Sequence, residues 1–166
     1  MISVLEVEES LVFITFGIIS ITGPVLGVVV GGNVTTNFGG FLAKKSLYLC
    51  CGIAAGCLLC AAPIPFMMNF PVFITLLWFL LFFGGFILPA MTGIMLSTVD
   101  ENLKATANSL ANLFYNLGGY LPAPYIYGAI YEIGEGNNAK MAMCTLMFSP
   151  IISVATLFAA SYFIVK

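Results

Sequence analysis

Apolar residues run in five long blocks along this chain, and the polar ones gather in short stretches between them. The blocks cover about residues 11–32, 47–67, 71–97, 105–132 and 141–165, each long enough for a helix that needs ~20 apolar residues to cross a bilayer. No charged residue interrupts them except Glu132 at the end of the fourth. The connections are short, so the pattern predicts one transmembrane domain over 1–166 with no linker and no second unit. The expected fold class is all-α: a multi-pass transmembrane helix bundle of five spans.

The fourth block, ATANSLANLFYNLGGYLPAPYIYGAIYE, departs from uniform apolarity. It carries Asn108, Asn112, Asn116 and Tyr120 at four-residue intervals. On a helix each such step drifts by only ~40°, so these residues form one polar stripe on an otherwise apolar surface. Further along, Gly118, Gly119, Pro122 and Pro124 interrupt the hydrogen-bond ladder, because proline lacks an N–H and glycine weakens the helix. Freed backbone groups survive at membrane depth only inside protein or along a water-filled cavity. The stripe therefore has two readings. It either glues helices together through amide hydrogen bonds or lines a substrate pathway through Asn108, Asn112, Asn116 and Tyr120. Neutral amides donate and accept, which suits a polar or zwitterionic head group.

Other blocks carry packing signals. The first contains Gly23, Gly27 and Gly31, two overlapping G-x-x-x-G steps, which predict a close helix contact. Gly52 and Gly56 repeat the spacing in the second, and Pro24 predicts a bend in the first. The third is rich in aromatics (Phe73, Trp78, Phe79, Phe82, Phe83, Phe86), residues that pack well and can also contact substrate. Gly84, Gly85 and Pro89 mark an expected bend and gating point there, with Thr92 and Ser97 able to satisfy freed carbonyls.

Composition sharpens the class. The chain is 61% hydrophobic and 7% charged, without histidine, and its mean hydropathy is +1.09. Soluble domains carry roughly a quarter charged residues, so this is a membrane protein by composition. A net charge of −2 makes nucleic acid an unsuitable partner. The acidic opening, MISVLEVEES, lacks the basic region of a signal peptide. Five cysteines lie in apolar blocks (Cys50, Cys51, Cys57, Cys60, Cys144) and read as small packing residues rather than a redox pair or a metal site. Lys44, Lys45, Asp100, Glu101, Lys104 and Lys166 fall on one side of the bundle. Glu6, Glu8, Glu9, Glu132, Glu135 and Lys140 fall on the other. The positive-inside rule places the lysine-rich side, with the C-terminus, in the cytosol. The sequon Asn33-Val34-Thr35 would then be cytosolic and unused.

The connection after the first block, Gly32-Asn33-Val34-Thr35-Thr36-Asn37-Phe38-Gly39-Gly40 and then Lys44-Lys45, resembles the loop motif G-x-x-x-D-R-x-G-R-K of the major facilitator superfamily. Gly32 and Gly39 match its glycines. Thr36 and Asn37 stand at the Asp-Arg positions, Gly40 stands at the next basic position, and the basic pair comes later. Five spans that start outside and end in the cytosol are similar to the last five of a twelve-helix facilitator. The stretch LGGYLPAPYIYG (117–128) resembles the eleventh helix of spinster-like lipid transporters and of organic-anion transporters.

The resemblance implies membrane transport of a small organic or lipid-like solute by alternating access, with the chain as part of a secondary transporter. Facilitators place their substrate between two halves, so the missing N-terminal helices or a second chain would be needed as partner, besides the bilayer. A truncated or non-transporting subunit with a structural role is the alternative. No intramembrane acid or histidine is present to carry a coupled proton. No nucleophile–base pair, metal cluster or phosphate loop is found, so the chain does not read as an enzyme and no cofactor is expected.

Overall fold

The computed structural model of the chain describes residues 8–38, 40, 44–133 and 139–165. Glu6, Gly39, Glu135 and Lys166, used above for the loop motif and the orientation, lie outside the described residues, as do the side chains of Glu9, Lys44 and Tyr120. All regular structure among the described residues is helical.

The first block forms α1 (Glu9–Asn37), ~40 Å long at 1.5 Å per residue. It runs past residue 32 into the stretch read as a loop. Thr35 and Thr36 keep it helical while spending their hydroxyls inward, donating to the carbonyls of Gly31 and Gly32 at 2.7 Å. The glycine–threonine part of the motif is thus helix, and the turn proper comes later. Gly40 takes φ +77°, a left-handed conformation that glycine adopts without strain. Its N–H donates to the Thr35 carbonyl at 3.2 Å, and its carbonyl accepts from the buried Ser46 hydroxyl at 2.6 Å.

The second block forms α2 (Lys44–Ala61), ended by Pro63 and a 3₁₀ turn at Ile64–Phe66. The third is one helix, α3 (Phe70–Ser97), with Pro71 in its first turn, where a missing N–H costs nothing, and Pro89 inside it. After a 3₁₀ turn at Glu101–Leu103, the fourth block forms α4 (Lys104–Tyr115), a π turn (Asn116–Tyr120) and α5 (Pro122–Ile133). The fifth forms α6 (Ala139–Phe148) and α7 (Pro150–Val165), parted at Ser149. Four stretches are long and apolar enough to cross a membrane: Ser10–Asn37, Lys45–Phe66, Phe70–Ser97 and Lys140–Ala159. The fourth block, expected as a fifth span, is not among them. Its three asparagines, two prolines and two adjacent glycines lower its hydropathy.

The most extensive contact is between α1 and α3, and α2 packs on the other side of α3. Ile19, Ile64, Phe73 and Leu77 form a buried cluster, closed by Trp78, Leu81, Met143 and Met147. Glycine makes the α1–α3 contact close. A Cβ on Gly27 would overlap the Phe82 carbonyl and lie 2.9 Å from the Phe86 nitrogen; one on Gly31 would overlap the Phe86 carbonyl. On the facing side, a Cβ on Gly85 would stand 2.5 Å from the Pro24 carbonyl. Gly23 is looser, with Leu81 Cβ at 3.2 Å. Backbone meets backbone at this seam, where dispersion rather than a hydrophobic effect holds helices in lipid. One cross-link is polar. Trp78 Nε1 donates to Thr22 Oγ1 at 3.1 Å, and that hydroxyl donates to the Ile18 carbonyl at 2.8 Å. Trp78 also stacks on Phe82 at 5.4 Å, so the aromatic row of α3 packs largely on itself. The far face of α1 presents exposed Phe13, Ile14, Ile18, Ile21 and Val25, as a lipid-facing surface does.

Because backbone cannot step aside as a side chain can, Gly27→Ala and Gly31→Ala are expected to lower thermal stability by about 1–3 kcal/mol, the usual range for overpacking. Gly17→Ala and Gly32→Ala, where an added Cβ meets nothing within 4 Å, should be neutral or slightly stabilising. Melting curves of the four purified variants check this. Equal melting temperatures across them would remove the glycine seam as the source of the α1–α3 contact.

Candidate functional site

The amide stripe lies on the barest helix of the molecule. No residue of α4 is buried, and its one substantial helix neighbour is α3. Asn108, Asn112 and Asn116 are all exposed, as are the apolar Leu110, Leu113 and Phe114 around them. Asn116 turns one amide proton back to the Asn112 carbonyl at 2.7 Å.

The π turn follows from the sequence beyond the stripe. Pro122 and Pro124 offer no N–H, so the carbonyls of Gly118 and Tyr120 have no donor four residues on. The helix widens instead: the Leu121 N–H donates to the Asn116 carbonyl, five residues back, at 2.9 Å. Leu121 rather than Tyr120 therefore stands one turn above Asn116, and the four-residue register of the stripe ends there. Widened turns of this kind are often found at functional sites.

A second break faces the first. Pro150 removes the donor for the Leu146 carbonyl, and the Ser149 hydroxyl replaces it at 2.8 Å. Ser149 N–H still reaches the Thr145 carbonyl at 3.1 Å, so the chain turns at Ser149 without leaving its helical path. Thr145 donates its own hydroxyl to the Met141 carbonyl at 3.0 Å.

The two breaks line one cavity of about 410 Å³. Gly118, Gly119, Pro122 and Ala123 form one wall, and Thr145, Leu146, Ser149, Pro150 and Ser153 form the other. No ionisable side chain lines it. A second cavity of about 260 Å³ lies between α2, α3 and α7 and shares Pro150 and Ser153 with the first. Its remaining lining is apolar, including Cys57, Phe83, Gly84 and Met91.

Of the residues singled out in the sequence, Gly118, Gly119 and Pro122 border the larger cavity, whereas Asn108, Asn112 and Asn116 line neither. Gly23, Gly27 and Gly31 lie at the α1–α3 seam, away from both. Gly85 belongs to that seam as well, packed against Pro24, while Gly84 borders the smaller cavity. Ser97 donates to the Ile94 carbonyl at 2.7 Å, not to the Gly85 carbonyl that Pro89 frees. Thr145, Ser149, Pro150 and Ser153 do not stand out in the pattern of apolar blocks. Their signal was available: a Ser-Pro pair halfway along an apolar block has the same meaning as Pro122 in the block before.

If the Ser149 hydroxyl stands in for the missing N–H, Ser149→Ala should cost about 1 kcal/mol of stability. The cost should vanish in the Pro150→Ala background, where the Leu146 carbonyl regains a backbone donor. Melting curves of the two single variants and the double variant measure this coupling. Additive effects would show that the hydroxyl has no such role.

No protein-family model, curated protein or solved structure matches this chain.

Proposed function

We propose that this chain is part of a secondary carrier that moves a small organic or lipid-like solute across a membrane by alternating access, in the manner of the major facilitator superfamily it resembles. One observation carries the reading: two interrupted helices border the same cavity near the middle of their length. Secondary transporters build their binding sites from such interrupted helices, because freed backbone groups can face a solute without an ionised side chain. The smaller apolar cavity beside it can receive the hydrocarbon part of an amphipathic solute.

The bare face of α4 supports a complementary role. Three amides and several large apolar side chains stand uncovered on it. Further helices, of the same polypeptide or of a second chain, would give those amides partners and close the route. This same face is what favours the alternative, a subunit whose stripe serves assembly alone.

A Gly119 side chain would enter open space, since an added Cβ there meets nothing within 4 Å. Gly119→Leu should therefore reduce uptake at least about tenfold while expression and melting stay near those of the unmodified protein, as expected when a solute site is filled. Asn112→Ala and Asn116→Ala, matched for expression, should alter apparent affinity or preference if the stripe also borders the route. Uptake across a panel of organic solutes is the measurement. A Gly119→Leu protein that transports as well as the unmodified one would remove this cavity as the solute site, and no uptake of any solute by the unmodified protein would refute the carrier reading and leave the assembly role.

A further inference from the structure

We propose that the larger cavity binds a small monovalent cation, either an alkali-metal ion or an organic ammonium group; the assignment rests on reading that cavity as a solute site. The argument begins with where the protons are. Thr145 and Ser149 each have a single hydroxyl proton, and each has committed it to a carbonyl of its own helix, Met141 at 3.0 Å and Leu146 at 2.8 Å. A carbonyl cannot donate, so these oxygens turn only lone pairs toward the cavity. Gly118 adds a carbonyl that Pro122 deprives of its regular donor.

The groups that would suit an anion are scarce in the same lining. Helix N-termini hold anions through free N–H groups. The two helices that start at this cavity both open on proline, Pro122 and Pro150, and Pro124 strips a third N–H from the first turn of α5. Neither lysine nor any other cation borders the cavity. Ser153, whose hydroxyl can donate as well as accept, is the exception in a lining otherwise rich in acceptors, and such a lining favours a ligand that brings protons or positive charge. A single charge is what it can balance, because no carboxylate lines it to offset a second. Oxygen atoms from carbonyls and hydroxyls are also the ligands that hard cations take.

The test uses the full chain in lipid nanodiscs and reads melting temperature at constant ionic strength. Tetrapropylammonium chloride, whose charge is shielded by carbon and which has no N–H to donate, is replaced stepwise by sodium, potassium or methylammonium chloride. A saturable rise of roughly 3 °C or more is expected for at least one of them, as for a ligand well above its dissociation constant. A rise with sodium or potassium alone identifies the ligand as an alkali ion, and a rise with methylammonium alone as an ammonium group. No rise with any of the three overturns the proposal.

Two variants localise the effect. Thr145→Val keeps the shape and removes an acceptor, while Pro122→Ala returns an N–H that can occupy the Gly118 carbonyl. Both should shrink the cation-dependent increment, whatever happens to the baseline melting temperature; Pro122→Ala alone decides should Thr145→Val fail to fold. An increment unchanged in the folded variants places the cation elsewhere and also overturns the proposal. Uptake assayed in parallel separates the two readings. Cation binding without transport removes only the carrier, and transport without a cation increment removes only this site.

Discussion

A backbone carbonyl left without a donor in hydrocarbon costs several kcal/mol, and proline removes a donor wherever it stands. With eight prolines in 166 residues, the supply of donors constrains this molecule at every turn. Pro63, Pro65 and Pro71 are placed where helices end or begin, so their missing N–H groups leave nothing unpaired inside a helix. Pro24 and Pro89 lie within α1 and α3, and the carbonyl side of Pro24 is pressed onto Gly85, the residue four before Pro89. Pro24 and Gly85, whose carbonyl Pro89 frees, therefore both lie at the close α1–α3 seam. The other three, Pro122, Pro124 and Pro150, are treated differently. One break is met by a wider turn and one by a serine hydroxyl, and both border open space.

Packing divides along the same line. Between α1 and α3 the backbones touch through Gly27, Gly31 and Gly85, and side chains cannot relax that seam by changing rotamer. Among the helices from α4 to α7 the mutual contacts are fewer, and neither α4 nor α5 has a buried residue. Regions with few buried apolar contacts are those where local rearrangement costs least. The chain thus joins a close-packed pair of helices to a set held more loosely, and the interrupted helices belong to the second set. Alternating access asks for that combination, a firm part and a part able to shift against it.

How far the sequence discloses this depends on which physical signal each feature leaves. Apolar block length is a strong signal, and four stretches of membrane-crossing length emerge close to the expected positions. The fourth block resists that test, because the polar and helix-breaking residues that make it interesting also lower its hydropathy. The end of α1 is hidden in the sequence for a related reason. Glycine and threonine read as a loop, yet Thr35 and Thr36 can satisfy their hydroxyls within the helix and let it continue. Glycine spacing pointed to a close contact but not to its partner, which is decided by long-range packing against Phe82 and Phe86. The cavity was half legible. Gly118, Gly119 and Pro122 declare a break by themselves, whereas the opposite wall depends on one Ser-Pro pair whose meaning appears only when the two breaks are seen to face each other.

The polarity of the fourth block is divided between two surfaces with different chemistry. Along α4 the amides of Asn108, Asn112 and Asn116 both donate and accept, so they can adjust to whatever polar group faces them. Such a surface tolerates many partners and distinguishes poorly among them. At the breaks, hydroxyls with committed protons and a carbonyl without its regular donor can only accept. These groups disfavour a ligand that also brings only acceptors, since both sides would then bury unpaired lone pairs at a cost of about 1–3 kcal/mol per group. Discrimination by hydrogen bonding is strongest where a mismatch leaves buried polar groups unsatisfied. On the proposed reading, the breaks rather than the more conspicuous stripe are where this chain would discriminate between ligands.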